Sequence, residues 1–121
     1  CITEFLRVVT HPRYLDGASE LADALGFIAS VINAPSCRLL RQGEDYLDHL
    51  FNTVIDSNAR GQLIFDAQIV ALCREHGVDR ILTNDRDFSR FEGIEVELLG
   101  GVHEPRARYI PRVRVEDFLP R

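Results

Sequence analysis

The stretch between residues 63 and 83 constrains the fold of this chain more than any other. Leu63-Ile64-Phe65-Asp66-Ala67-Gln68-Ile69-Val70-Ala71-Leu72 opens a helix that reads through to His76, and Gly77 stands where a left-handed cap is wanted. Arg80-Ile81-Leu82-Thr83 follows directly as a short buried strand. A helix that passes through a glycine into a buried strand is a unit of layered α/β structure, whose sheet presents ligands beyond the carboxyl ends of its strands. Whatever follows Thr83 therefore falls where such a fold places its chemistry.

The rest of the chain fits that architecture. Phe5, Leu6, Val8 and Val9 are spaced as one helix over residues 3–10, which His11-Pro12 stops. Ser19 is a candidate cap for a second helix marked by Leu21, Ala22, Leu25, Ile28, Ala29 and Ile32, which ends near Asn33-Ala34-Pro35. Cys37-Arg38-Leu39-Leu40 reads as a short strand broken by Gly43. Tyr46, Leu47, Leu50, Phe51, Val54 and Ile55 form the apolar stripe of a third helix, and residues 57–61 read as a loop. Residues 84–93 form a loop after the buried strand, and Ile94-Glu95-Val96-Glu97-Leu98 alternates as a strand does. The order helix, strand, helix, helix, strand, strand predicts an α/β sandwich with a mainly parallel sheet.

At 121 residues the length is that of one domain with one site. No apolar run approaches the roughly 20 residues that span a bilayer, so the expectation is a soluble, cytoplasmic protein. Cys1, Cys37 and Cys73 show no zinc-like spacing and read as thiols of a reducing compartment. Net charge is −5, so any nucleic-acid contact has to be local. The chain opens on Cys1 in what already reads as helix interior, and the expectation is that it is N-terminally incomplete.

Three acidic features carry the candidate chemistry, and each has two readings. Glu4 lies on a helix otherwise built of Phe, Leu and Val, either as a solvated flank beside Arg7 or as a ligand. Asp66 is the single charge in its apolar run, which is costly unless it is hydrogen-bonded by the helix N-terminus or bound to a cation. Thr83-Asn84-Asp85-Arg86-Asp87-Phe88 puts two carboxylates within three positions, either as a self-capping turn or as a cation site. Taken together, hard oxygen ligands from separate elements are what Mg²⁺ or Mn²⁺ uses in phosphodiester hydrolysis. No G-x-S-x-G, P-loop, G-x-G-x-x-G or zinc motif offers a different chemistry.

Three segments in order, Thr3-Glu4-Phe5-Leu6-Arg7-Val8-Val9-Thr10-His11-Pro12-Arg13, Ala59 to Ala67, and Leu82-Thr83-Asn84-Asp85-Arg86-Asp87-Phe88-Ser89-Arg90-Phe91, resemble the PIN domain of VapC-type toxins. The resemblance runs from residue 1 to about 99 and implies a PIN-like α/β/α sandwich. It implies a metal-dependent endoribonuclease in which Glu4, Asp66 and Asp85 bind Mg²⁺ or Mn²⁺, with Asp87 as a fourth acid or water holder. Thr83 and Asn84 would orient the carboxylates or water, and Arg60 and Arg86 are candidate RNA contacts. An RNA substrate, a cognate antitoxin protein and a homodimer are the partners it implies. Members of the family also carry a first strand with an Asp ahead of this glutamate. Neither is in this sequence, so the polypeptide alone is expected to be catalytically poor. The alternatives are a PIN-like nuclease acting on another nucleic acid and a degenerate binding module.

The domain boundaries expected are 1–99 for the PIN domain and 100–121 for an extension. Residues 101–121 hold Arg106, Arg108, Arg112, Arg114 and Arg121 against three acids, a local balance of +2 on a chain that is otherwise −7. Alternation puts Arg112 and Arg114 on one face and Val113 and Val115 on the other. That pattern reads as an edge strand with a solvated face, or as an arginine arm that reaches RNA phosphate or folds over the acidic site.

Overall fold

A computed structural model describes residues 1–13, 18–99, 103–104 and 109–120, the backbone alone at 103–104. The chain divides into two compact units, Cys1–Leu39 and Leu40–Arg121.

The first unit holds α1, Ile2–Val9, and α2, Leu21–Ile32. They meet through Phe5 and Phe27, whose ring centroids are 5.4 Å apart, and the Ser19 amide donates to the Val9 carbonyl at 2.8 Å. Glu20, not Ser19, occupies the N-cap of α2, and no side chain caps that end. The apolar stripe read for α2 is present but largely exposed at Leu21, Leu25 and Ile32, and Ala24 is the buried residue of the helix. Residues 37–40 form no strand. A run this short needs a neighbour to take its amide and carbonyl groups, and none of the described strands pairs with it.

The second unit is built from α3, Tyr46–Ser57, α4, Leu63–Glu75, and three strands, β1 Arg80–Leu82, β2 Glu95–Glu97 and β3 His103–Glu104. The sheet order is β1-β2-β3. β1 and β2 run parallel with Ile81 opposite Val96, and β3 lies antiparallel to β2. Gly77 closes α4 at φ +69°, the conformation its position called for. Glu75 takes the amides of Gly43 and Asp45 at 2.8 and 3.0 Å and so ties the entry of α3 to the end of α4.

The core of this unit joins α4 to the sheet and to the turn between the strands. Ala67, Val70 and Cys73 pack with Ala59, Phe88, Phe91, Ile94 and Val96. β2 alternates as expected, with Val96 buried between half-buried Glu95 and Glu97. Burying Phe91 and Ile94 fully contributes on the order of 2–3 kcal/mol each by removing apolar surface from water, so the start of β2 is held firmly.

The sequence reading of α3 needs correction. Leu47 and Ile55, assigned to its core stripe, are 51% and 52% exposed, whereas Tyr46, Asn52 and Thr53 are buried. Asn52 explains the rotation. Its Oδ1 accepts from the amides of Arg112 and Val113 at 2.5 and 2.8 Å, and its Nδ2 donates to the carbonyls of Val113 and Asp48 at 2.6 and 2.7 Å. The 109–114 segment is not an edge strand in the described residues; a side-chain amide takes the place of a neighbouring strand. The alternation itself holds, with Val113 and Val115 half-buried and Arg112 and Arg114 exposed. Arg106, Arg108 and Arg121 lie outside the described residues.

Candidate metal centre

Asp66 sits in the first turn of α4, and its neighbours in space come from the turn after β1. That turn is a 3₁₀ helix, Arg86–Arg90, where the sequence suggested only a loop. Asp85 is its N-cap, and the Asp85 Oδ1 accepts from the Asp87 amide at 2.9 Å. Thr83 stands one step back and accepts the Asp85 amide on its Oγ1 at 3.0 Å. Phe88 and Phe91, both buried, anchor the turn against α4. The self-capping turn and the acidic cluster are thus one structure, since one Asp85 oxygen caps while the carboxylate remains exposed.

Each of Asp66, Asp85 and Asp87 offers a carboxylate oxygen within 4.8 Å of the others. Asp66 is half-buried and the other two are exposed. Burial pushes the Asp66 carboxyl above the usual aspartate range, and the charges of Asp85 and Asp87 push it the same way. Such a cluster is self-repulsive unless something positive enters it. Its donor set, three carboxylates offering hard oxygens, suits a divalent cation such as Mg²⁺ or Mn²⁺.

Glu4 belongs to the first unit, where it is exposed and paired with Arg7, its neighbour one turn along α1. The Arg7 hydrogen bond holds the Glu4 carboxyl below its ordinary range. Asn84 uses its side-chain oxygen to accept from the Leu99 amide at 3.2 Å, which fixes the end of the 95–99 segment near the turn. Arg60 is exposed and reaches Asn58 Oδ1 at 3.4 Å, and Arg86 is exposed within the 3₁₀ turn.

Sequence reasoning missed Arg74, which lies on the same helix as Asp66. It is 8% exposed, with Nη1 donating to Thr53 Oγ1 at 2.8 Å, Nη2 to the Glu92 carbonyl at 2.5 Å, and the guanidinium 3.8 Å from the centroid of the Tyr109 ring. No carboxylate lies within ion-pair distance of it among the described residues, and its Nε has no hydrogen-bond partner.

A helix that bears an aspartate at its start, followed by a parallel strand and an Asp-bearing turn, defines the class. The PIN-domain family model matches residues 1–94, and the chain belongs to that family. Among curated proteins it is similar to ribonuclease VapC48 of Mycobacterium tuberculosis, 37% identical over 93 residues, which are 76% of this chain and 63% of that protein. Ribonucleases VapC25 and VapC31 of the same species are 33% and 31% identical over 90 residues, in each case 74% of this chain and 63% of the relative. The chain thus spans about three-fifths of the length of these relatives. No helix among the described residues is long and apolar enough to cross a membrane.

Proposed function

We propose that the protein is a VapC-type toxin, a divalent-metal-dependent endoribonuclease that a cognate antitoxin protein holds in check. The observation that carries this reading is the convergence of Asp66, Asp85 and Asp87 from two elements, with ligand atoms within 4.8 Å of one another. The ribonuclease names of the similar proteins support the substrate class. Residues 1–99 are the catalytic domain in this reading, and 100–121 are an extension of it.

Bound Mg²⁺ or Mn²⁺ supplies polarisation of a phosphoryl oxygen and a water of lowered pKa. Asp66 and Asp85 would hold the ion, and Glu4 would be a further ligand. Asp87 would complete the acidic set or hold a water. Thr83 orders the backbone of Asp85, and Asn84 steadies the same turn from its other side. Arg60 and Arg86, both exposed, are candidate contacts for RNA phosphate. The trio's own repulsion keeps the site receptive to a cation, because ion binding relieves it.

The reading is tested by titrating Mn²⁺ into the full-length protein and by following cleavage of RNA and of single-stranded DNA with and without the ion. Mn²⁺-dependent RNA cleavage that falls by about 100-fold or more in Asp66→Asn is expected. Cleavage unaffected by chelation or by Asp66→Asn would overturn it, and preference for DNA would move the substrate class.

A further inference from the structure

We infer that Tyr109, at the near end of the C-terminal strap 109–118, braces the metal-binding turn and is a positioning residue for Asp85 and Asp87, while the far end at Phe118 only fastens the strap to α3. The inference rests on the reading of the Asp trio as a metal site. The family match ends at residue 94, so the role of this strap is not one the match supplies.

The strap is fastened by polar groups that the unit otherwise has no reason to bury. Among the described residues three polar or charged side chains are buried, Asn52, Thr53 and Arg74. All three serve one clasp. Asn52 holds the backbone of Arg112 and Val113, and Asp48 accepts from the Val115 amide at 2.6 Å. Phe118 closes the far end edge-on against Phe51, with centroids 5.1 Å apart. At the near end the Tyr109 hydroxyl meets His49 Nδ1 at 3.0 Å, and its ring lies over the Arg74 guanidinium.

That near end connects to the site through one short stretch of chain. Arg74 Nη2 grips the Glu92 carbonyl, and Gly93 lies against Tyr109 so closely that an added Cβ would come within 2.7 Å of the Tyr109 amide nitrogen. Gly93 also has φ +76°, so the approach and the turn both require glycine there. Residues 91–93 are therefore clamped between Arg74 and Tyr109, immediately after the 3₁₀ turn that carries Asp87. Arg74 and Asp66 lie on one helix, eight residues or roughly 12 Å apart. The same helix thus presents one metal ligand and, two turns on, the guanidinium that grips the Glu92 carbonyl, five residues past Asp87 on the chain leaving the 3₁₀ turn. Tyr109 supports that guanidinium by its ring face, which substitutes for the carboxylate a buried cation normally requires.

A strap that only shielded α3 would affect stability alone, whereas a brace also affects the geometry of the trio. The full-length protein is measured at a temperature at which every variant is folded, by Mn²⁺ titration and by amide hydrogen exchange over residues 85–93. Tyr109→Ala should weaken Mn²⁺ binding about tenfold, as loss of a supporting residue does, and speed exchange across 85–93. Tyr109→Phe, which keeps the ring on Arg74 and loses the hydroxyl contact to His49, should remain close to wild type in both. Phe118→Ala should lower stability and leave Mn²⁺ affinity unchanged. If Tyr109→Ala does not fold, Tyr109→Leu is read in its place, since it fills the space against Gly93 without a ring face. Wild-type Mn²⁺ affinity together with unchanged exchange at 85–93 would overturn the brace. A wild-type protein that binds no Mn²⁺ would instead sink the metal reading, and the exchange measurement would still decide the brace.

Discussion

The two ends of α4 handle charge in opposite ways. At its start, Asp66 is gathered with two further carboxylates and no cation side chain is bonded into the group among the described residues, so the charges oppose one another. Near its end, Arg74 is withdrawn from water, with its two terminal nitrogens matched by a hydroxyl and a carbonyl, its plane by an aromatic face, and Nε alone without a hydrogen bond. Both ends agree with the helix dipole, which favours an anion at the N-terminus and a cation at the C-terminus. What separates them is compensation. A buried charge that finds hydrogen bonds and an aromatic face contributes to structure, while a cluster left with its repulsion is waiting for a ligand.

The comparison breaks most readily at Arg74. Arg74→Ala removes two hydrogen bonds and a cation–π contact and leaves a cavity between α3, α4 and the strap. A loss of about 3 kcal/mol is expected, as a fall in the urea midpoint and a drop of roughly 10 °C in the thermal midpoint. Stability equal to wild type would mean that desolvating the guanidinium costs as much as its partners return, as happens for some buried ion pairs. The end of α4 would then resemble its start.

How far each end was legible in the sequence follows from the range of the interactions. Asp66 stood out because a lone charge in an apolar run is visible locally, and Asp85 and Asp87 because a strand directly precedes them, although that strand, read as buried, has Arg80 and Leu82 exposed and Ile81 half-buried. Gly77 was legible for the same reason. Arg74 looked like any helix-terminal arginine, since Thr53, Glu92 and Tyr109 are 21, 18 and 35 positions away, the last by 109 − 74. Asn52 was hidden likewise, because its partners Arg112 and Val113 lie 60 and 61 residues on. The one local clue was Asn52-Thr53 set inside an apolar helix. The expected strand at 37–40 failed because pairing, unlike periodicity, is not a property of the segment itself.

The acidic end is sharpened by Asp66→Asn, read on stability with chelator present. The helix N-terminus favours the charged carboxylate by about 0.3–1 kcal/mol. Desolvation and the charges of Asp85 and Asp87 outweigh that, since the Asp66 carboxyl is displaced upward. A carboxyl raised in the folded state favours the protonated form there. Its contribution to stability is fully present below the unfolded value, about pH 4, and is lost as pH rises through the folded value. The substituted amide carries no charge to lose, so the variant should be more stable than wild type at pH 7, by less than about 1 kcal/mol after solvent screening. The difference should vanish as pH falls below about 4, and Mn²⁺ should stabilise wild type but not the variant. Denaturation curves at both pH values check the sign. A variant less stable than wild type at pH 7 would mean that the trio is not repulsive.

The smallest effect lies within the acidic end itself, at Thr83. Thr83→Val keeps the β-branched shape that suits the end of β1 and removes only the hydroxyl that accepts the Asp85 amide. That amide sits in an exposed turn, so water can replace the lost acceptor and stability should change by no more than about 0.5 kcal/mol. Order is a different matter. The Asp85 backbone sets where both its own carboxylate and the capped Asp87 amide lie, and water would hold it less firmly than a side chain half-buried against the sheet. Mn²⁺ affinity should therefore fall by about tenfold, the lower end of what is expected for loss of a group that orients a ligand without touching the ion. Calorimetric titration separates the two quantities. A large stability loss with unchanged affinity would place Thr83 with Arg74 as a structural group, and the division between the two ends of α4 would no longer follow from charge compensation alone.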